Sequence, residues 1–171
     1  MARRPGVSLR RASTPEDIAL VRTLFVEYAG TLGFDLSFQD FDREIETLPG
    51  SYAEPGGCIL LAEAEGEAAG CVAVRPLEGD TCEMKRLYVR PEHRGRGAGR
   101  DLAAAVLREA RSRGYRRMRL DTVPGMDAAI ALYRGLGFRQ IEPYRPNPIP
   151  GAIYLECDLE ALSPDRPEAR R

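Results

Sequence analysis

The run Arg94-Gly95-Arg96-Gly97-Ala98-Gly99 constrains the fold of this chain more than any other stretch. Residues 82–89 before it have strand character, and residues 100–113 after it have an apolar helical stripe. The glycines therefore punctuate a strand-to-helix turn. Glycine lets a backbone approach a ligand closely and adopt positive φ, and the N–H groups and positive dipole end of the following helix attract an anion. Arg94, Arg96 and Arg100 add charge in a side chain suited to two-pronged phosphate contacts. Residues 94–100 are thus a candidate phosphate cradle.

The elements around this turn follow in a readable order. Residues 7–11 suit a short edge strand, and Ser13-Thr14-Pro15-Glu16-Asp17 marks a helix start, with a hydroxyl cap, proline at the first position and acids in the first turn. Ile18, Val21, Leu24, Phe25, Tyr28 and Leu32 then recur at helical spacing, and Gly33 ends the run. A shorter helix carries Phe41, Ile45 and Leu48 and closes at Pro49-Gly50. Residues 58–63 and 68–75, split by Glu65-Gly66, predict a hairpin, and residues 76–80 turn the chain into the 82–89 strand. Strand, glycine turn, helix and the strand at 116–123 predict a parallel pair joined by a crossover. A helix at 126–136, a strand at 138–142, a proline-rich loop at 143–151 and a strand at 152–158 complete the order. The reading is a single domain over residues 7–160, with disordered ends at 1–6 and 161–171.

The 171 residues suffice for a core without metal or disulfide staples. With a net charge of -1, general nucleic-acid binding is disfavoured. No apolar run reaches the ~20 residues of a membrane helix, and no secretory signal is legible, so the expected location is the cytoplasm. Cys58, Cys71, Cys82 and Cys157 lack C-x-x-C spacing, and His93 is the sole histidine, so a metal site is not expected. The cysteines read as core residues, with a reactive thiol as the minor alternative. His93 reads as exposed or near the phosphate turn. Lys85 is the only lysine.

Three patterns together resemble the GNAT superfamily of acyl-CoA-dependent N-acyltransferases. Leu87-Tyr88-Val89-Arg90-Pro91 leads into Arg94-x-x-Gly97-x-Gly99, similar to that family's R/Q-x-x-G-x-G/A acyl-CoA signature. Residues 129–138, with Tyr133 and the closing Gly137-Phe138, resemble its late helix. The third is the order of elements. The resemblance implies an α/β fold with a twisted mixed sheet of six to seven strands, flanked by about four helices and splayed between the fourth and fifth strands. It implies acetyl-CoA as co-substrate, held by Leu87, Tyr88 and Val89 along the acyl arm and by residues 94–100 at the pyrophosphate. Met126 stands where many members carry asparagine.

The resemblance also implies N-acetyl transfer to a primary amine, by direct attack within a ternary complex. Tyr133 would be the general acid, and Glu83 and Asp121 stand at positions where some members carry a carboxylate base. For both carboxylates a solvated or salt-bridged strand position is an equal alternative, and a water chain could remove the proton instead. Phe34, Phe38, Tyr144 and Arg145 are candidate acceptor-binding residues, suited to a small amine with an apolar part or a carboxylate. A non-catalytic acyl-CoA sensor is the alternative, and nucleotide or nucleic-acid binding through residues 85–100 a third. A homodimer through a strand edge within residues 138–158 is also expected as an option.

Overall fold

The computed structural model describes residues 6–162, so the expectation of disorder at 1–5 and 163–171 lies outside the described residues. Leu162, assigned from sequence to the disordered end, packs against the core, and its carbonyl accepts a bond from Arg111 at 2.5 Å.

A seven-stranded sheet runs in the order β1-β2-β3-β4-β5-β7-β6. Its strands are β1 (Ser8–Arg11), β2 (Cys58–Ala64), β3 (Glu67–Glu78), β4 (Thr81–Val89), β5 (Arg117–Thr122), β6 (Arg139–Ile141) and β7 (Ile153–Asp158). The helices are α1 (Pro15–Gly30), α2 (Phe41–Thr47), α3 (Ala98–Ser112) and α4 (Asp127–Gly135). The α1 start follows its sequence signals: the Thr14 side chain accepts from the Asp17 amide at 3.1 Å, the Asp17 carboxylate accepts from the Thr14 amide at 3.2 Å, and Pro15 opens the helix.

Two apolar clusters form, one on each face of the sheet. Val21, Leu24 and Phe25 of α1 pack with Ile59, Leu61, Cys71, Ala73 and Tyr88. Leu102, Ala103, Val106 and Ala110 of α3 cover Leu60, Val72, Val74, Cys82 and Met84 on the other. Each fully buried Leu or Val contributes about 1.5–3 kcal/mol. All four cysteines are buried and free.

The sequence expectation needs two corrections. The turn between β3 and β4 lies at Gly79-Asp80 rather than beginning at Pro76, which pairs with Cys82 inside β3 beside a register irregularity. A proline cannot donate to a ladder, and the irregularity is where that loss is tolerated. The open edge expected over residues 138–158 is confined to the three residues of β6. The long loop after β6 brings β7 back between β5 and β6, so β7 is paired on both sides.

β4 is the strand that positions the site. Its parallel ladder to β5 covers only Thr81, Cys82 and Glu83, after which the two strands part. Its antiparallel register to β3 slips between Lys85 and Tyr88, the partners of Ala73 and Cys71. Arg86 sits in this slip with φ of 61°, a left-handed value that costs a non-glycine residue about 1–2 kcal/mol. Just past the slip Gly70 pairs with Val89: a Cβ there would stand 2.3 Å from the Tyr88 carbonyl oxygen, so only glycine allows so close a pairing.

Candidate functional site

The parting of β4 and β5 opens a cavity. Its walls are Met84, Lys85, Arg86 and Leu87 of β4 and Leu120, Asp121 and Thr122 of β5, with Tyr28 of α1 and Ala129 and Tyr133 of α4. The α1–α2 connection adds Phe34, Leu36, Phe38 and Gln39, while Met126 precedes α4 and Asn147 lies in the proline-rich loop.

The strained conformation of Arg86 is over-determined by its partners. Its guanidinium makes two bonds to Glu44 of α2, at 2.8 and 3.0 Å, and a third to Oε1 of Gln39 at 2.9 Å. It also lies 5.1 Å from the centre of the Phe41 ring. Leu87 packs toward the α3 cluster and Tyr88 toward the α1 cluster. The alternation of β4 is therefore reset within one residue, and Lys85 is left in the cavity wall.

Tyr133 is buried, in edge contact with Phe138 at 5.7 Å between ring centres. Its hydroxyl has no hydrogen-bond partner among the described residues, and burial raises its pKa above the usual phenol range. Asp121 is half-buried, and one of its oxygens accepts from Nδ2 of Asn147 at 3.1 Å. Lys85 is 5% exposed and donates from Nζ to Oε1 of Gln39 at 2.9 Å. Burial, aided by the charge of Arg86, pushes its pKa down to about 7.

Glu83 does not line the cavity. It is fully buried behind it and held from three directions: Arg75 bonds Oε1 at 2.9 and 3.0 Å, Tyr144 donates to Oε2 at 2.7 Å, and Arg145 also bonds Oε2. Tyr144 and Arg145 thus close on Glu83 rather than on the cavity; the guanidinium groups of Arg119 and Arg145 lie 5.5 and 5.0 Å from the centre of the Tyr144 ring, which meets Tyr154 edge-on. Of the four candidate acceptor residues, Phe34 and Phe38 line the cavity, their ring centres 6.4 Å apart. Sequence reasoning missed Lys85, Gln39 and Asn147. The signal available for Lys85 was its standing as the only lysine of an arginine-rich chain, in the strand that leads to the glycine turn.

At that turn Gly95 and Gly97 adopt φ of 77° and 84°, values natural to glycine. Gly97 is the N-cap of α3 and supplies no side-chain cap, so the amides of Ala98 and Gly99 remain open to an external acceptor. This geometry fits a pyrophosphate group. Arg94 donates from Nε to the Val89 carbonyl at 2.9 Å, and Arg96 pairs with Glu65 at 3.2 Å. His93 stands directly before the turn, as one of its two expected placements had it, but it is buried rather than exposed, and neither ring nitrogen has a hydrogen-bond partner among the described residues.

Comparisons with known proteins agree with this geometry. Residues 20–138 match the model of the Acetyltransferase (GNAT) family. An uncharacterised N-acetyltransferase of Schizosaccharomyces pombe is 39% identical over 161 residues, covering 93% of this chain and 99% of that protein. Among solved structures, a GNAT-family acetyltransferase of Staphylococcus aureus superposes with a TM-score of 0.73 at 17% identity, covering 90% of this chain and 99% of that one. A PaiA N-acetyltransferase of Thermoplasma acidophilum, solved in complex with coenzyme A, superposes with a TM-score of 0.68 at 16% identity, over 90% and 99% of the two chains. The splayed mixed sheet, the glycine turn at the start of α3 and these matches together place the chain in the GNAT superfamily of N-acetyltransferases, as an acyltransferase.

Proposed function

We propose that the protein moves an acetyl group from acetyl-CoA to a primary amine of a small molecule, by direct attack within a ternary complex. The observation that carries this reading is the presence of Tyr133, on α4, in the wall of the same cavity as Leu87, at the parting of β4 and β5. The amides at Ala98 and Gly99 would hold the pyrophosphate, and the edge of β4 at Leu87 and Val89 would pair with the acyl arm as a further strand does. The PaiA protein solved with coenzyme A shares this fold, which supports the assignment.

Amide formation from a thioester requires a neutral amine, a donor to the developing oxyanion and a proton for the departing thiolate. Tyr133 would supply that last proton. Burial keeps its hydroxyl protonated, and the same burial makes a thiolate more basic: it raises Cys58, a buried thiol of this chain, to about 11. Asp121, half-buried with one oxygen on Asn147, would receive the ammonium proton directly or through water. No cysteine, serine or histidine lines the cavity among the described residues, and Thr122, the hydroxyl nucleophile type present there, has no histidine beside it in the lining to activate it, which favours direct attack. Four free cysteines suit a reducing compartment such as the cytoplasm.

The test combines calorimetry of acetyl-CoA binding with free-thiol release over a panel of amines. Tyr133→Phe is expected to lower kcat by about 100-fold or more while leaving acetyl-CoA affinity unchanged. Unaltered turnover in that variant would remove Tyr133 from the acid role. Acetyl-CoA binding without thiol release from any amine would favour a sensor over an enzyme.

A further inference from the structure

The cavity wall holds a buried lysine that no carboxylate among the described residues pairs with. Lys85 is 5% exposed, and the acceptor of its hydrogen bond, Oε1 of Gln39, is a neutral amide oxygen that Arg86 shares. Among the described residues no carboxylate lies within ion-pair distance of its ammonium. The charged groups that act on Lys85 are Arg86 and Arg75, which oppose its charge, and Asp121 and Glu44, which favour it. Glu44 is already taken, by two bonds from Arg86 and one from the Tyr52 hydroxyl at 3.0 Å. Asp121 stands on the opposite strand of the parting, bonded by Asn147 through one oxygen.

A buried ion without a partner costs several kcal/mol, and a counter-ion that enters the site recovers much of it. An ammonium has three donors, of which Gln39 occupies one. The cavity is therefore bipolar: a cation with spare donors on β4 and a carboxylate on β5, with the apolar Phe34–Phe38 pair beside them. A zwitterionic ligand answers both poles at once.

We propose that the acceptor is an amine that also carries a carboxylate, an amino-acid-like molecule whose carboxylate is received by Lys85 and whose amine lies toward Asp121. This inference rests on the N-acetyltransferase reading above and adds the chemical class of its acceptor. It reassigns the carboxylate-binding role from Arg145, which is spent on Glu83, to Lys85.

The experiment compares matched acceptors on the full chain at saturating acetyl-CoA: a set of amino acids, the corresponding amino-acid carboxamides and the decarboxylated amines. The carboxamide oxygen can still accept from Lys85, but only the acid brings the opposite charge, and that difference predicts that kcat/KM for the acids exceeds that for the carboxamides by about 10- to 100-fold. Lys85→Met is expected to bring that ratio to about one, mainly through the KM of the acid, and Lys85→Arg to restore part of it. Equal use of acids and carboxamides by the unaltered protein would overturn the inference while leaving the N-acetyltransferase reading standing, and this comparison does not depend on any variant folding. A Lys85→Met protein that binds acetyl-CoA and keeps the original ratio would overturn it as well. Turnover of no amine, with acetyl-CoA bound, would instead refute the N-acetyltransferase reading, and this inference with it.

Discussion

Glu83 and Lys85 are two residues apart on one strand, face the same side of the sheet, and are both buried, yet their surroundings are opposite. Around Glu83 the protein has built a cage of two arginines and a tyrosine. Around Lys85 it has built a cavity wall and one amide oxygen. A carboxylate with every neighbour committed has little capacity left to accept a proton from a substrate. The contrast separates a charge that holds β4 to the proline-rich loop from one that faces a cavity with a single neutral hydrogen-bond partner. It also bears on the proposed base: among the described residues the carboxylate in the cavity wall is Asp121, whereas Glu83 is enclosed by its cage.

The largest effect should come from breaking the cage. Glu83→Gln leaves Arg75 and Arg145 facing one another without the anion between them, and loss of one partner of a buried ion pair typically costs about 3–5 kcal/mol. Urea denaturation should register that loss, with the proline-rich loop exchanging its amides faster. A variant with unchanged stability and abolished turnover would show that the cage is catalytic rather than structural, and the contrast with Lys85 would fail.

Lys85→Met should act in the opposite direction on stability. The ammonium has a folded-state pKa of about 7 against 10.5 unfolded. The unfolded chain therefore holds the proton more tightly between those values, and the protonated lysine penalises the fold most below pH 7. Replacing it with an apolar side chain of similar length should stabilise the protein by about 2 kcal/mol near pH 6. The gain should shrink as pH rises from about 7 toward 10.5. Equal stability of the two proteins across that range would mean that Lys85 has a counter-ion in solution, and its role as an open anion receptor would be lost.

The difference between these neighbours also explains what was legible in the sequence. The glycine turn, the start of α1 at Thr14-Pro15, the hairpin at Glu65-Gly66 and the parallel β4–β5 pair are local patterns, and each stands where its residues predicted. The slip at Arg86 carries no glycine or proline to announce it. It is set by Gln39 and Glu44, 47 and 42 residues away in the chain, and by the close approach that Gly70 allows. Without the slip, strict alternation would set Tyr88 on the face of Cys82 and Met84, whereas the structure puts it on the other. The commitment of Arg145 to Glu83 spans 62 residues and was equally invisible. The proposed cofactor side of the site depends on a contiguous motif, whereas the proposed acceptor side is assembled from distant segments.

Asp17 supplies an intermediate case and the smallest expected effect. It is 5% exposed and, like Glu83, well supplied with donors, but these are the amides of Ser13 and Thr14 with the half-exposed Arg10 at 2.7 Å. The backbone amides, with Arg10 second, lower its pKa from 3.8 to about 2. If the cost of removing a buried charge depends on what is left behind, Asp17→Ala should lose far less than Glu83→Gln. Water can reach the freed Arg10, and the open amides belong to a helix end, so a loss of about 1 kcal/mol at neutral pH is expected. Because the folded pKa is depressed, the contribution of Asp17 is present above its unfolded value of 3.8 and lost as pH falls through about 2. Denaturation of both proteins at falling pH should show their difference closing over that interval. A loss as large as that of Glu83→Gln would mean that burial alone, and not the pairing of the groups left behind, sets the cost of these charges.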